Sequence, residues 1–382
     1  MNKFIIFYQE FILYTLYFIL YTLYLIPYTL YLIPYTLYLI PYTLYPLPSL
    51  VPFLPIFAAY SASLPQMYNK MSFKAIWANN TSYSKFLISV GIILLSAVFF
   101  TLVSTLLSSA IYGVNMAELQ RLLGNLDDPR AISILKLVQT ISAIGTFIVP
   151  PFVIAYLIDP QPLRFLGIDK FAGIPSSFLV IICLMVSVPL INFLGELNGT
   201  MHLPGFLKSV EEWMKDSEDR AAELTKAFLN MPTFGSMIFN VFMVALIPAL
   251  GEELLFRGVV QKIFTGWAKN IHIGVWMSAL LFSAMHMQFY GFVPRLLLGA
   301  MLGYLFVWSG SLWLSILAHF VNNAAAVIFT YLYQQNLSSI DVDAVGTQEG
   351  EMMSVLISTA FTAMLLFMIY RIESKKRLLS GE

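Results

Sequence analysis

Residues 233–262 read TFGSMIFNVFMVALIPALGEELLFRGVVQK, an apolar segment that carries two adjacent glutamates and an arginine in its second half. A helix of about 20 mostly apolar residues spans the hydrocarbon core of a bilayer, and this segment is longer than that. An ionisable side chain inside the bilayer costs roughly 2.5–3.5 kcal/mol and usually marks a site or a conduction path. The segment therefore predicts a bundle of membrane helices and a functional site within it.

The composition of the whole chain agrees with a membrane bundle. Of the 382 residues, 59% are hydrophobic and 11% are charged, whereas soluble domains carry about 25% charged residues. The 21 Lys and Arg balance the 21 Asp and Glu, so no basic field indicates a nucleic-acid partner. The one cysteine, Cys183, excludes a disulfide framework and a metal site built on several cysteines. Together these observations exclude a soluble globular enzyme.

Further apolar segments of suitable length accompany residues 233–262. The predicted spans lie near 86–112, 131–158, 174–195, 233–262, 271–290, 292–309, 311–334 and 352–370. We therefore predict an all-α fold, a polytopic membrane helical bundle of about eight transmembrane helices. Between the third and fourth spans, residues 208–226 are polar and predict an amphipathic interfacial helix, which we interpret as a solvated helix with no function of its own.

The N-terminal residues 1–70 carry a low-complexity apolar repeat of the unit YTLYLIP. A proline recurs once per unit, from Pro27 to Pro41, and each proline would break a helix. We interpret residues 1–70 as lying outside the functional fold. Residues 71–382 then form the helical bundle, with the motif-bearing core at 230–335.

Lysines and arginines in the short loops predict the orientation of this bundle. The C-terminal run from Arg371 to Arg377 is strongly basic, whereas residues 335–350, on the opposite side, contain no Lys or Arg. We therefore expect both termini of the 71–382 region to be cytoplasmic. The protein would be an integral, multi-pass protein, in the inner membrane if the cell is bacterial.

The first intramembrane polar group consists of Glu252, Glu253 and Arg257. Adjacent residues lie about 100° apart around a helix, so the two carboxylates cannot face one target equally. Glu253 and Arg257 are four residues apart and in the favourable order for an ion pair. This leaves Glu252 as a base or ligand, with Glu253 and Arg257 in supporting roles. A purely structural network of the three is the alternative.

The other polar groups lie in later spans. His286 follows Phe282 by one turn in FSAMH, and His319 and Asn323 are four apart in HFVNN, so they share a helix face. Taken singly, a packed histidine or interhelical hydrogen bonding would explain each of them. At 1.5 Å per residue, Glu252, His286 and His319 fall about 10–20 Å from the cytoplasmic ends of their helices. We therefore expect these groups to meet around one water molecule.

The three motifs together resemble those of a known family. EELLFRG is similar to the EExxxR motif, FSAMH to the FxxxH motif and HFVNN to the HxxxN motif of the CAAX-protease and bacteriocin-processing (CPBP, or ABI) family of intramembrane proteases. The motifs occur in the family's order on separate apolar segments. The resemblance implies that Glu252 activates a water for attack on a peptide carbonyl and that His286 helps to hold this water. It also implies that His319 and Asn323 stabilise the oxyanion or complete a metal site.

The cofactor and the substrate stay open at this point. Glu252, His286 and His319 could bind zinc, but a glutamate-activated water without a metal fits the same residue types. The expected partners are membrane lipid and a peptide or protein substrate with a membrane-tethered tail, as the family's action on prenylated CAAX proteins implies. A proton-coupled transporter that uses the Glu/His cluster, or a non-catalytic membrane scaffold, is the alternative interpretation.

Overall fold

The structure, a computed structural model, describes residues 73–380 except 124, 340–341 and 349. These residues form helices, turns and loops, and the described part of the chain contains no strand. The prediction of an all-α fold is confirmed. The YTLYLIP repeat predicted at residues 1–70 lies outside the described residues.

Long helices dominate the described part of the chain. They are α1 (Ser82–Tyr112), α2 (Pro129–Ile158), α3 (Ile174–Gly199), α4 (Lys208–Phe228), α5 (Phe234–Ala268), α6 (Ile271–Met285), α7 (Phe292–Ser309), α8 (Leu312–Gln334) and α9 (Met352–Ser380). Of these, 7 are long and apolar enough to cross a membrane, and the others are the polar α4 and the short apolar α6. The chain is therefore an integral membrane protein, as its hydropathy predicts.

Helix α6 is shorter than the span predicted at 271–290. It has 15 residues and ends at Met285, and the left-handed Met287, with φ of 53°, lies in the turn that leads to α7. The sequence predicts His286 inside a membrane helix, but the structure places it at the C-cap of α6. A helix of 15 residues is about 22 Å long, less than the thickness of the hydrocarbon core. If α6 starts at the membrane surface, His286 lies at bilayer depth.

Helix α5 lies at the centre of the bundle and packs against α2, α6 and α8. Ile154 of α2, Ala249 and Val259 of α5 and Ile316 of α8 are buried in one apolar cluster. Because protein surrounds this part of α5, its polar side chains face other helices rather than lipid.

Gly251, directly before Glu252, allows α5 to approach α2 closely. A Cβ atom at this position would lie 2.7 Å from Phe147 Cβ and 3.1 Å from Ile148 Cγ1. The contact is tighter than ordinary van der Waals packing, so the backbone of one helix would have to move to accept a methyl group.

We therefore expect Gly251→Ala to destabilise the protein by about 1–3 kcal/mol, the usual cost of overpacking a core. Thermal unfolding of the purified protein in detergent would measure this loss. Gly195→Ala in α3 is the matched control, because a Cβ there meets nothing within 4 Å. Equal thermal shifts for the two variants would contradict the close approach.

Candidate active site

The middle of α5 presents Glu252 on a short regular segment between two wide turns. Residues Ile247–Glu253 are α-helical, whereas Val241–Leu246 before them and Leu254–Val260 after them are π-helical. Pro248 lacks an N–H group and cannot complete a regular helical ladder, so the wider turn before it accommodates the break. Such π-turns in a membrane helix often occur at functional sites.

The structure brings Glu252 together with two of the predicted histidines. Its Oε2 atom lies 4.0 Å from Nε2 of His286 and 3.9 Å from Nε2 of His319. These residues come from α5, the end of α6 and α8. Convergence of one carboxylate and two imidazoles in the protein interior is the arrangement that the depth argument predicts.

Hydrogen bonds at Nδ1 establish which ring nitrogen of each histidine carries the proton. Nδ1 of His286 is 2.8 Å from the carbonyl oxygen of Phe282, which can only accept, so this Nδ1–H donates. Nδ1 of His319 is 2.8 Å from Oε1 of Glu253, and an ionised carboxylate likewise only accepts. In their neutral forms, both imidazoles therefore present an unprotonated Nε2 to Glu252.

Glu252 Oε2 is buried and has no hydrogen-bond partner among the residues that the structure describes. The two Nε2 atoms and this carboxylate oxygen are all acceptors, so they cannot satisfy one another. Buried polar atoms of this kind are normally paired with protein or water. The arrangement is suited to a guest that donates hydrogen bonds, as water does, or that accepts lone pairs, as a metal cation does.

Glu253 forms a second, fully buried layer behind this site. Its Oε1 accepts hydrogen bonds from Arg257 Nη1 at 2.7 Å and from His319 Nδ1 at 2.8 Å. The exposed fractions of the Glu253 and Arg257 side chains are 0% and 1%. Arg257 Nη2 also donates to the carbonyl oxygen of Gly299 on α7 at 2.9 Å. The carboxylate therefore orients an imidazole of the site as well as pairing with the arginine, and motif spacing alone indicated only the pairing.

Phe282 forms one wall of the site, as its position one turn before His286 indicates. Its ring centroid lies 5.0 Å from that of His286 and 5.8 Å from that of His319, both in edge-to-face contact. Arg257 lies over the same ring, with Cζ 4.7 Å from the centroid. The aromatic ring therefore restricts both imidazoles and separates the ion pair behind it from the space in front of Glu252.

Asn323, the fourth predicted catalytic residue, lies one turn after His319 on α8. Its Nδ2 donates to the carbonyl oxygen of Val244 at 3.3 Å, and its Oδ1 accepts from Asn322 Nδ2 at 3.1 Å. Val244 belongs to the π-helical segment that precedes Glu252, so Asn323 holds α8 against the part of α5 that leads into the site. The second N–H of the Asn323 amide takes no part in these two hydrogen bonds.

The donor atoms suit zinc in type but not in spacing. A tetrahedral zinc ion with bonds near 2.0–2.1 Å holds its ligand atoms about 3.4 Å apart. The carboxylate oxygen of Glu252 lies 3.9–4.0 Å from the two imidazole nitrogens. Among the described residues, no group of three His, Cys, Asp or Glu forms a metal site. A water molecule about 2.8 Å from the carboxylate and from either imidazole requires no movement of these side chains.

Comparisons with known proteins agree with the motif assignment. Residues 234–325 match the family model described as Rce1-like, type II CAAX prenyl endopeptidase. The uncharacterized protein YpbD of Bacillus subtilis is 32% identical over 89 residues, which is 22% of this chain and 42% of YpbD. No solved structure matches the chain. The matched residues include all three motifs, so the resemblance predicted from the sequence is confirmed: residues 234–325 are similar to the Rce1-like, type II CAAX prenyl endopeptidase family.

Proposed function

We propose that this chain is an intramembrane endopeptidase of the CAAX-protease type, which hydrolyses a peptide bond in a membrane-associated or lipidated substrate. The observation that carries the proposal is the buried, unpaired Oε2 of Glu252, which faces the unprotonated Nε2 atoms of two histidines. The Rce1-like match over the same residues supports it. A scaffold would have no need of buried acceptors left without donors.

In the proposed reaction, a water molecule donates one hydrogen bond to Glu252 and a second to His286. Glu252 takes a proton from the water molecule while the water oxygen attacks the peptide carbonyl carbon. The same carboxyl group then gives that proton to the leaving amine, so the products are a carboxylic acid and an amine and the enzyme returns to its starting state. This sequence needs no net change in the protein.

The tetrahedral intermediate carries an oxyanion, which needs hydrogen-bond donors. The free N–H of Asn323 is one candidate. His319 is the other residue proposed for this role; its Nε2 faces the same space, and the hydrogen bond from Nδ1 to Glu253 Oε1 fixes the orientation of its ring. Glu253 thus has the role of the orienting carboxylate in a carboxylate–imidazole pair, and Arg257 Nη1 donates to the same carboxylate oxygen.

The proposed substrate reaches the site from the lipid, held there by an attached lipid or by its own membrane segment. Membrane lipid and such a tethered peptide are the partners that a site between membrane helices requires. We also propose that both termini of the 71–382 region are cytoplasmic, on the basis of the basic C-terminal run.

The test uses the full chain purified in detergent and a membrane-tethered peptide, with the reaction run in water enriched in oxygen-18. We expect a cleaved product with one heavy oxygen in its new carboxylate, detected by mass spectrometry. Absence of any product would overturn the proposal. Proton-coupled uptake into liposomes without cleavage would support a transporter instead.

The same assay tests whether cleavage depends on zinc. Glutamate-activated water predicts that cleavage survives exhaustive treatment with a chelator and that the purified protein carries no stoichiometric metal. Loss of activity on chelation, with recovery on adding zinc, would favour the metal-assisted alternative, in which Glu252, His286 and His319 are the ligands.

A further inference from the structure

A row of aromatic side chains joins the beginning of α6 to the last turns of α7 and to α9. Nδ1 of His272, on α6, is 2.8 Å from the hydroxyl oxygen of Tyr304 on α7. Tyr304 stacks on Trp308 at a centroid distance of 5.7 Å, and Trp308 is in edge-to-face contact with Tyr370 of α9 at 5.5 Å. Tyrosine and tryptophan are enriched at the boundaries between membrane and water. The row therefore marks the level at which these three helices meet the membrane surface.

One face of α9 changes at this level from apolar to cationic. Met364, Phe367, Arg371 and Lys375 follow one another at spacings of three or four residues, so they share a helix face. The first two are 47% and 58% exposed, and both cations are exposed as well. The guanidinium of Arg371 lies over the Phe367 ring, with Cζ 5.8 Å from the centroid. An exposed apolar surface thus leads directly to two cations on neighbouring turns.

No carboxylate among the described residues pairs with these two cations. Neither Arg371 nor Lys375 forms an ion pair within 4.0 Å in that part of the chain. The carboxylate between them in sequence, Glu373, is 4% exposed and lies on another face of α9. Its Oε1 accepts hydrogen bonds from Ser176 of α3 and, at 2.6 Å, from Lys376. Glu373 is therefore already paired, and the charges of Arg371 and Lys375 are open to an external anion.

We propose that this face of α9 binds an anionic phospholipid, with the phosphate between Arg371 and Lys375 and the acyl chains along Met364 and Phe367. A guanidinium binds phosphate through two parallel N–H···O bonds, and an ammonium adds a point charge. A phosphate joined to hydrocarbon matches both parts of the face, whereas a soluble anion matches only the cations. In a zwitterionic lipid, the cation of the headgroup offsets the phosphate, so the two positive charges favour a lipid with net negative charge.

The test adds equal amounts of phosphatidylglycerol and phosphatidylcholine, with the same acyl chains, to the full chain in a non-ionic detergent. Native mass spectrometry then counts the lipids that stay bound. Each cation near a membrane surface favours an anionic lipid about fivefold, so we expect at least about a tenfold preference for phosphatidylglycerol. Arg371→Gln with Lys375→Gln should lower this preference at least about fivefold, and Arg371→Lys should retain most of it. The matched control, Arg164→Gln with Lys269→Gln, removes two exposed cations between other helices and should leave it unchanged.

Photo-crosslinking supplies a second readout, which locates the bound lipid. The probe is phosphatidylglycerol with a photoactivatable diazirine on an acyl chain, and peptide mass spectrometry identifies the crosslinked segment. We expect adducts on residues 364–375 of α9, reduced at least about fivefold in the double variant of Arg371 and Lys375. Excess inorganic phosphate should not reduce these adducts, because it lacks the hydrocarbon that contacts Phe367. Higher salt should reduce them, because the charges are exposed.

Three results would overturn the lipid site. The first is equal retention of the two lipids, or a preference that the double variant keeps. The second is an equal loss in the Arg164 and Lys269 control, which would show a diffuse effect of charge. The third is a set of adducts confined to other helices, or adducts that inorganic phosphate suppresses. If the double variant fails to fold, Arg371→Gln alone and the wild-type crosslinks decide. No peptide is cleaved in these experiments, so the lipid site and the proposed endopeptidase activity stand or fall separately.

Discussion

Replacing Glu252 by glutamine is expected to lower kcat for peptide cleavage by about 10³-fold, within the range that a positioned general base contributes. Glutamine has almost the same shape, so it can still occupy the space in front of the two histidines. Its amide oxygen can accept a hydrogen bond but cannot take a proton from water. We therefore expect KM to change little, because the substitution removes an interaction needed only in the transition state.

The measurement compares initial cleavage rates of wild type and variant on the membrane-tethered peptide, together with their thermal unfolding in detergent. Glu196→Gln, which changes an exposed carboxylate on α3, is the control for loss of a negative charge. A Glu252→Gln enzyme that retained activity within tenfold of wild type would show that another group activates the water. An unfolded variant would point instead to a structural role for this side chain.

The fold was predictable because each span is coded by local hydropathy, which is independent of tertiary contacts. The exception is α6, where the predicted span continued to residue 290. The apolar character continues through Met285, and the sequence HMQFYG that follows is only moderately polar. The helix ends where Met287 adopts a left-handed conformation. Glycine is the residue that usually marks such a position in a sequence, and a methionine gives no such signal.

The candidate site was predictable in its members but not in its connections. Glu252, His286 and His319 stand out because polar groups in apolar helices are rare, and depth along each helix then places them at one level. The hydrogen bond between Glu253 and His319 joins residues 66 positions apart. No spacing rule indicates it, because it depends on how α5 and α8 are rotated against each other.

Helix α4 and Arg295 show a second limit of sequence reasoning. The polar pattern of residues 208–226 predicts a solvated interfacial helix, and most of its side chains are exposed. Its contacts with the turn after α6 come from a few residues, Trp213 and Glu218 among them. Arg295 lies in what the sequence presents as the beginning of a span, where a snorkelling arginine is ordinary. Only the fold shows that its guanidinium is bonded to Gln288 in the turn after α6.

The largest effect on stability is expected for Arg257→Met, which removes one partner of a fully buried ion pair. The change leaves the Glu253 carboxylate without its arginine in the protein interior, and breaking such a pair typically costs about 3–5 kcal/mol. It also removes the hydrogen bond to Gly299 O and the contact with the Phe282 ring. We expect a large drop in the unfolding temperature and a low yield of folded protein. Lys208→Met is the control, since Lys208 and Glu212 form an exposed pair with the same separation of four residues.

A double variant separates the charge of this pair from the packing of its side chains. Glu253→Gln with Arg257→Met leaves no unpaired charge, so it should recover part of the stability that Arg257→Met loses, although His319 then lacks its orienting carboxylate. Glu253→Gln alone should lower the yield of folded protein more than Glu252→Gln does, because only Glu253 holds a buried arginine. Unfolding temperatures of these variants in one detergent make the comparison. If Arg257→Met proved as mild as Lys208→Met, or if the double variant were no more stable than Arg257→Met, the pair would not be the internal support of the site.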